Sequence, residues 1–212
     1  MRTILVTAFE PFGGGTHNPS AAVLEGLRER KGLHRLLLPV SFQRARDRLE
    51  EAIRDLSPDF VILTGLAGGR DAVCLEACAL NVKDARIPDN DGETPVGERL
   101  DADGENALFT ALDLASLRDR IQSAGIPARI SYHAGTFVCN ATYYALLRTG
   151  AKGLFVHLPD DERSVPDTPG APFLKLEESL RAVECLIDGV NYSVIESPSM
   201  GSQPCEAFKM VE

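Results

Sequence analysis

Short runs of β-favouring apolar residues take turns along this chain with longer segments whose apolar residues stand three and four apart. Residues 3–8, Thr-Ile-Leu-Val-Thr-Ala, form the first run, which Glu10 and Pro11 stop. After Gly13, Gly14 and Gly15, Asn18 reads as a helix cap with Pro19 at the first helical position, and Ala21, Ala22, Leu24 and Leu27 mark a helix to about residue 31. The alternation continues with a strand over 35–40, a helix over about 43–56, a turn at Ser57-Pro58 and an apolar strand over 60–64. A second glycine-rich turn covers 65–70. From 72 to 81 a period of two puts Val73, Leu75, Ala77 and Ala79 on one face and Cys74, Glu76 and Cys78 on the other, which predicts a single strand. A helix over 114–124, a strand over 129–132, a helix over 139–148, a strand over 153–158 and a helix over 173–187 complete the pattern. Strands and helices in this order predict one α/β domain over 1–190, its sheet largely parallel and covered by helices on both faces.

Two segments fall outside the pattern. Residues 85–103 are polar and rich in Gly, Pro and Asp, longer than a connector needs, and predict a lid or a site wall. Residues 191–212 lack periodicity and read as an extended or disordered tail with no assigned function.

Composition adds exclusions. With 44% hydrophobic and 25% charged residues this is the make-up of a folded, water-soluble protein. Lys and Arg number 22 against 31 Asp and Glu, a net charge of −9, which disfavours nucleic acid and anionic membrane as partners. The first apolar run is too short for a secretory signal, and no run approaches the roughly 18 residues of a spanning helix. Five scattered cysteines are not a disulfide framework, so a cytoplasmic protein with reduced thiols is expected.

Three residues invite chemistry. Cys139 opens a helix, where unpaired N–H groups and the dipole favour thiolate; alternatively it is a small buried hydrophobe. His157 ends an apolar strand, where open α/β sheets place their ligand crevice, or else it is a satisfied core histidine. Glu76 lies among apolar residues and needs a cationic partner, which is either an imidazolium or an arginine such as Arg70 or Arg86. Together they permit a Cys–His–acid arrangement. His17, His34 and His133 read as surface residues. Cys74 and Cys78 stand roughly 13 Å apart if both lie in one strand, too far for a disulfide. Cys/His spacing offers no zinc site, and the glycine-rich loops match no phosphate-binding motif.

The chain resembles the pyroglutamyl peptidase type I family, also called pyrrolidone-carboxylate peptidase. The matching pieces are Phe9-Glu-Pro-Phe-Gly-Gly with Asn18-Pro-Ser20, Leu38-Pro-Val-Ser-Phe42, Gly65-Leu-Ala-Gly-Gly-Arg70, Glu76, Asn81 and Asp84-Ala-Arg-Ile-Pro-Asp-Asn90. Ala134-Gly-Thr-Phe-Val-Cys-Asn140 and Phe155-Val-His-Leu-Pro159 continue it, in order, over residues 3–188. The resemblance implies a single α/β domain with a twisted, mostly parallel mixed sheet, and a cysteine exopeptidase that hydrolyses N-terminal pyroglutamyl residues from peptides through an acyl-enzyme. It places the triad on Glu76, Cys139 and His157, puts Arg86 at the oxyanion, and makes Phe9, Phe12, Asn18, Ser41, Ile87, Phe137 and Val138 substrate-binding. No metal or other cofactor is implied; a homo-oligomer, dimer or tetramer, is compatible. The sequence departs from the resemblance at Leu66, where some members carry a polar side chain. A nucleoside phosphorylase or hydrolase, and a non-catalytic ligand-binding module, are the competing readings.

Overall fold

Strands β1 (Ile4–Phe9), β3 (Phe60–Leu66), β4 (Val73–Glu76) and β8 (Gly153–Leu158) are buried along nearly their whole length, so helices must cover both faces of any sheet they form. The computed structural model describes residues 2–165 and 170–192. In it these strands join β2 (Leu33–Leu38) and β7 (Ala128–Ser131) in a six-stranded sheet of order β2-β1-β3-β8-β4-β7. The ladders from β2 to β8 are parallel; β4 is antiparallel to β8 and parallel to β7, which makes the sheet mixed but mostly parallel, as expected.

Alternation along the strands builds two cores. Ile4, Val6, Val73, Leu75, Leu154 and Val156 pack under α1 (Pro19–Gly26), α3 (Leu114–Ser123) and α5 (Leu176–Tyr192). Leu5, Val61, Leu63 and Phe155 pack on the other face under α2 (Phe42–Leu56) and α4 (Val138–Arg148). Asn18 caps α1 by accepting from Ser20 N–H, as the sequence indicates.

The structure redraws several boundaries. The α1 helix stops at Gly26 instead of continuing to 31, because Leu27 turns extended and Arg28 and Arg30 form ion pairs with Glu184 and Asp188 of α5. The β2 strand occupies 33–38, two residues earlier than expected, and ends before Pro39, which has no N–H for a ladder. The predicted strand over 72–81 is two strands: β4 stays in the large sheet, while β5 (Cys78–Leu80) pairs with β6 (Ala107–Phe109) in a small second sheet. Val73 and Leu75 therefore lie in one core and Ala79 in the other. The α5 helix begins at Leu176 and continues to Tyr192, so Asn191 and Tyr192 are helical; the rest of the tail, 193–212, lies outside the described residues. Among the described residues no helix is long and apolar enough to cross a membrane.

The polar excursion is irregular but anchored. Asp89, buried, accepts from the N–H groups of Phe42, Asp91 and Glu93, Asn90 N–H donates to Val40 O, and Arg44 pairs with Asp91. These bonds seat it on the start of α2 as a fixed wall.

Candidate active site

The strand ends β1, β3 and β8 open on one side of the sheet into a cavity of about 440 Å³. His157, next to last in β8, lies 4% exposed on the α2/α4 face, as does Phe155 two residues before it. Its ladder partner on β3 is Gly65 and on β4 is Cys74. Because β4 runs antiparallel, the residue diagonal to His157 is Glu76. The Glu76 carboxylate is completely buried, and its Oε1 accepts from His157 Nδ1 at 2.7 Å and from Arg70 Nη1 at 3.0 Å. Two of the partners the sequence offers for Glu76, an imidazole and Arg70, are thus engaged at once.

Cys139 reaches the same place from α4. A Cβ on Gly65 would lie 3.0 Å from Cys139 Sγ and 2.8 Å from Phe155 Cζ, so the thiol rests over a β3 position where only glycine fits. The thiol, the imidazole and the carboxylate are therefore laid out across β3, β8 and β4. Gly65→Ala is expected to lower stability by about 1–3 kcal/mol and to lower turnover by roughly 100-fold, since the methyl must displace the ring or the sulfur. Urea unfolding and steady-state kinetics check this; unchanged stability and turnover would refute the close approach.

The sequence motif gives α4 more than its cysteine. Asn140, fully buried, accepts from Leu80 N–H and donates to Leu80 O and Val82 O, tying the helix start to β5. Tyr143, one turn beyond Cys139, donates its hydroxyl to Glu76 O at 3.0 Å. Side chains of Asn18, Ser41 and Asp113 cap α1, α2 and α3, but Phe137 at the start of α4 makes no side-chain cap bond. No side chain covers the first N–H groups of α4 beside the cavity, where they can meet developing negative charge.

Electrostatics sets the resting protonation. Burial pushes the Glu76 carboxyl up, but His157 above all, with Ser131 and Arg70 behind it, holds the carboxyl below its ordinary range. Burial lowers His157 and outweighs the pull of Glu76. The pair is thus a carboxylate and a neutral imidazole whose Nδ1 donates, leaving Nε2 as a base. Burial and then the charge of Glu76 push the Cys139 thiol up to about 12. The Cys139 N–H at the helix start and the charge of Arg70 pull the thiol the other way, by less.

Most of the sequence-predicted pocket residues meet here. Phe9 and Phe12 line the cavity, Phe9 as the last residue of β1 instead of a loop residue, stacked on Phe155 with centroids 6.4 Å apart. Phe137 also lines it, tilted against Phe12 at 6.3 Å and edge-on to Phe42 at 5.4 Å. Val138 and Ile87 add apolar wall, and Arg86 stands exposed at the rim; among the described residues it has no hydrogen bond or ion pair. Asn18 lines the cavity while it caps α1 and donates to Glu10 O. Ser41 is not among the lining residues: it is 1% exposed and caps α2 by accepting from Arg44 N–H. Leu66, Asp84, Thr136 and His133, the last read as a surface residue, line the cavity as well.

Among the described residues Cys74, Cys78, Cys139 and Cys185 are free thiols, and no three His, Cys, Asp or Glu side chains gather as a metal ion requires. Cys205 lies outside the described residues.

An α/β sheet that brings a thiol and an imidazole to one cavity, with a buried carboxylate behind the imidazole, has the make-up of a thiol hydrolase. Residues 2–192 match the pyroglutamyl peptidase family, and the chain belongs to it. The pyrrolidone-carboxylate peptidase of Chromobacterium violaceum is 40% identical over 196 residues, covering 89% of this chain and 92% of the relative. That of Yersinia pestis is 41% identical over 197 residues, covering 88% and 92%. The crystal structure of pyroglutamyl peptidase I from Bacillus amyloliquefaciens matches with a TM-score of 0.82 at 36% identity, over 87% of this chain and 92% of that one. Pyrrolidone carboxyl peptidase from Thermococcus litoralis matches with a TM-score of 0.85 at 30% identity, over 93% and 100%.

Proposed function

We propose that this protein hydrolyses the bond after an N-terminal pyroglutamyl residue, with Cys139 as nucleophile, His157 as acid and base, and Glu76 as the group that orients the histidine. The observation that carries the reading is the juxtaposition of these three side chains beside a cavity walled by Phe9, Phe12 and Phe137. Pyroglutamate is a neutral lactam without an α-ammonium, so aromatic walls suit it and no carboxylate is needed to grip an amine.

Attack and proton transfer go together. Cys139 Sγ bonds to the pyroglutamyl carbonyl carbon while its proton passes to His157 Nε2, and the carbonyl electron pair moves onto oxygen. N–H groups at the uncapped start of α4 and the Arg86 guanidinium stabilise that oxyanion. The imidazolium then protonates the leaving amine, the C–N bond breaks, and a thioester remains on Cys139. Water attacks the thioester as His157 takes its proton; the departing sulfur recovers that proton and pyroglutamate leaves.

Fluorophore release from a pyroglutamyl amide tests the reading. The pyroglutamyl amide should turn over at least about 100-fold faster than the corresponding prolyl amide, whose cationic amine lacks the lactam carbonyl. Thiol alkylation should abolish the activity, and EDTA should leave it unchanged. Equal turnover of the prolyl amide, or an activity that survives alkylation and fails with EDTA, would remove the proposal.

A further inference from the structure

The reaction above uses Glu76, but one residue that grips Glu76 has no part in it yet. Arg70 closes the glycine-rich turn between β3 and β4. That turn is fastened to the chain following His157: Ala67 N–H donates to Leu158 O at 2.9 Å and Gly69 N–H to Asp160 Oδ2 at 3.0 Å. Gly69 has φ +76, a conformation natural to glycine, and a Cβ on Gly68 would come within 3.1 Å of the Asp160 carboxylate. The turn therefore has little freedom, and it carries the Arg70 side chain back over the end of β4. There Nη1 meets the same oxygen, Glu76 Oε1, that receives His157 Nδ1–H.

We propose that Arg70 is a positioning residue for this site: its guanidinium fixes the Glu76 carboxylate in the rotamer whose Oε1 faces His157, and so fixes the imidazole toward Cys139. The inference rests on the triad reading above. Two donors on one buried oxygen leave the carboxylate one orientation, which a single donor from the imidazole would not impose. The Arg70 side chain is one-third exposed, so the contact can be removed without emptying the core. The titratable groups around the Glu76 carboxylate are His157 on β8, Cys74 on β4, Cys78 on β5, and Cys139 and Tyr143 on α4. Arg70 favours the charged form of Glu76 and disfavours an imidazolium at His157.

The test is the pH dependence of Cys139 alkylation by iodoacetamide, measured at that residue by mass spectrometry, alongside pyroglutamyl-amide kinetics. Without Arg70 the thiol loses a nearby positive charge and the histidine its fixed orientation. Arg70→Gln should move the alkylation midpoint up by about half a pH unit or more and lower kcat about tenfold or more, with KM within about twofold. Arg70→Lys should return the midpoint close to wild type and give an intermediate kcat, because it keeps the charge and loses the fork. An unmoved midpoint in Arg70→Gln overturns the proposal. Should that variant not fold, a wild-type kcat in Arg70→Lys overturns it instead. Alkylation needs no substrate, so absence of pyroglutamyl turnover in the wild type would discard the substrate reading alone and leave the Arg70 test standing.

Discussion

Replacing Cys139 by alanine is expected to lower release from a pyroglutamyl amide by at least about 10⁴-fold. Among the described residues no other thiol lines the cavity, and what remains without the sulfur is a base and a set of oxyanion donors with nothing to deliver. Folding should survive the change. Alanine suits the first turn of α4, the anchoring of that turn belongs to Asn140 and Tyr143, and only one sulfur atom over Gly65 is lost, a cost of about 1 kcal/mol. The melting temperature should fall by no more than about 4 °C, and pyroglutamate should still raise it. More than about 1% residual activity would show that Cys139 is not the nucleophile.

Glu76→Gln should be nearly as damaging, with kcat reduced by roughly 10³-fold. A glutamine can still offer one oxygen, but that oxygen carries no charge to hold Nδ1–H in place or to stabilise the imidazolium that forms during attack. The loss has a structural side too, since the half-buried Arg70 guanidinium would face a neutral amide; a further loss of about 1–3 kcal/mol of stability is expected. Kinetics and urea unfolding on the same preparation separate the two. A variant within about tenfold of wild-type kcat would mean that His157 needs no ionised partner.

The fold was readable where a single local pattern decides the outcome. Continuous apolar strands, the Asn18-Pro19 cap and the helix that follows the 134–140 motif all fall where the residues place them. It was unreadable where two patterns agree locally but differ in space. The alternation over 72–81 holds across the break at Ala77, because each short strand keeps its own period of two; only the sheet in which each finds a partner distinguishes them. Ala107–Phe109 is three residues long in a polar neighbourhood and carries no strand signal of its own.

The site divides in the same way. Cys139, His157 and Glu76 stand out because a thiol, an imidazole and a carboxylate are costly among apolar neighbours. Gly65 and Asn140 do not, since their importance lies in what lies opposite them: a sulfur over a bare backbone and a strand edge in need of partners. Arg70 stands between the two, legible as a candidate partner for Glu76 but not as a second donor to the oxygen that meets His157. Ser41 differs: it stands in a shared motif, and its hydroxyl caps the start of α2 by accepting from Arg44 N–H, away from the cavity lining.

The position of β8 has a consequence for how the protein comes into being. Among the described residues it is the last strand in sequence, and it lies between β3 and β4, joining a block of three parallel strands to a pair that runs the other way. A chain that ends before Gly153 has Cys139 and Glu76 but neither the strand that joins the two parts of the sheet nor His157. Under the proposed chemistry, the residues that close the sheet are also the ones that bring the base.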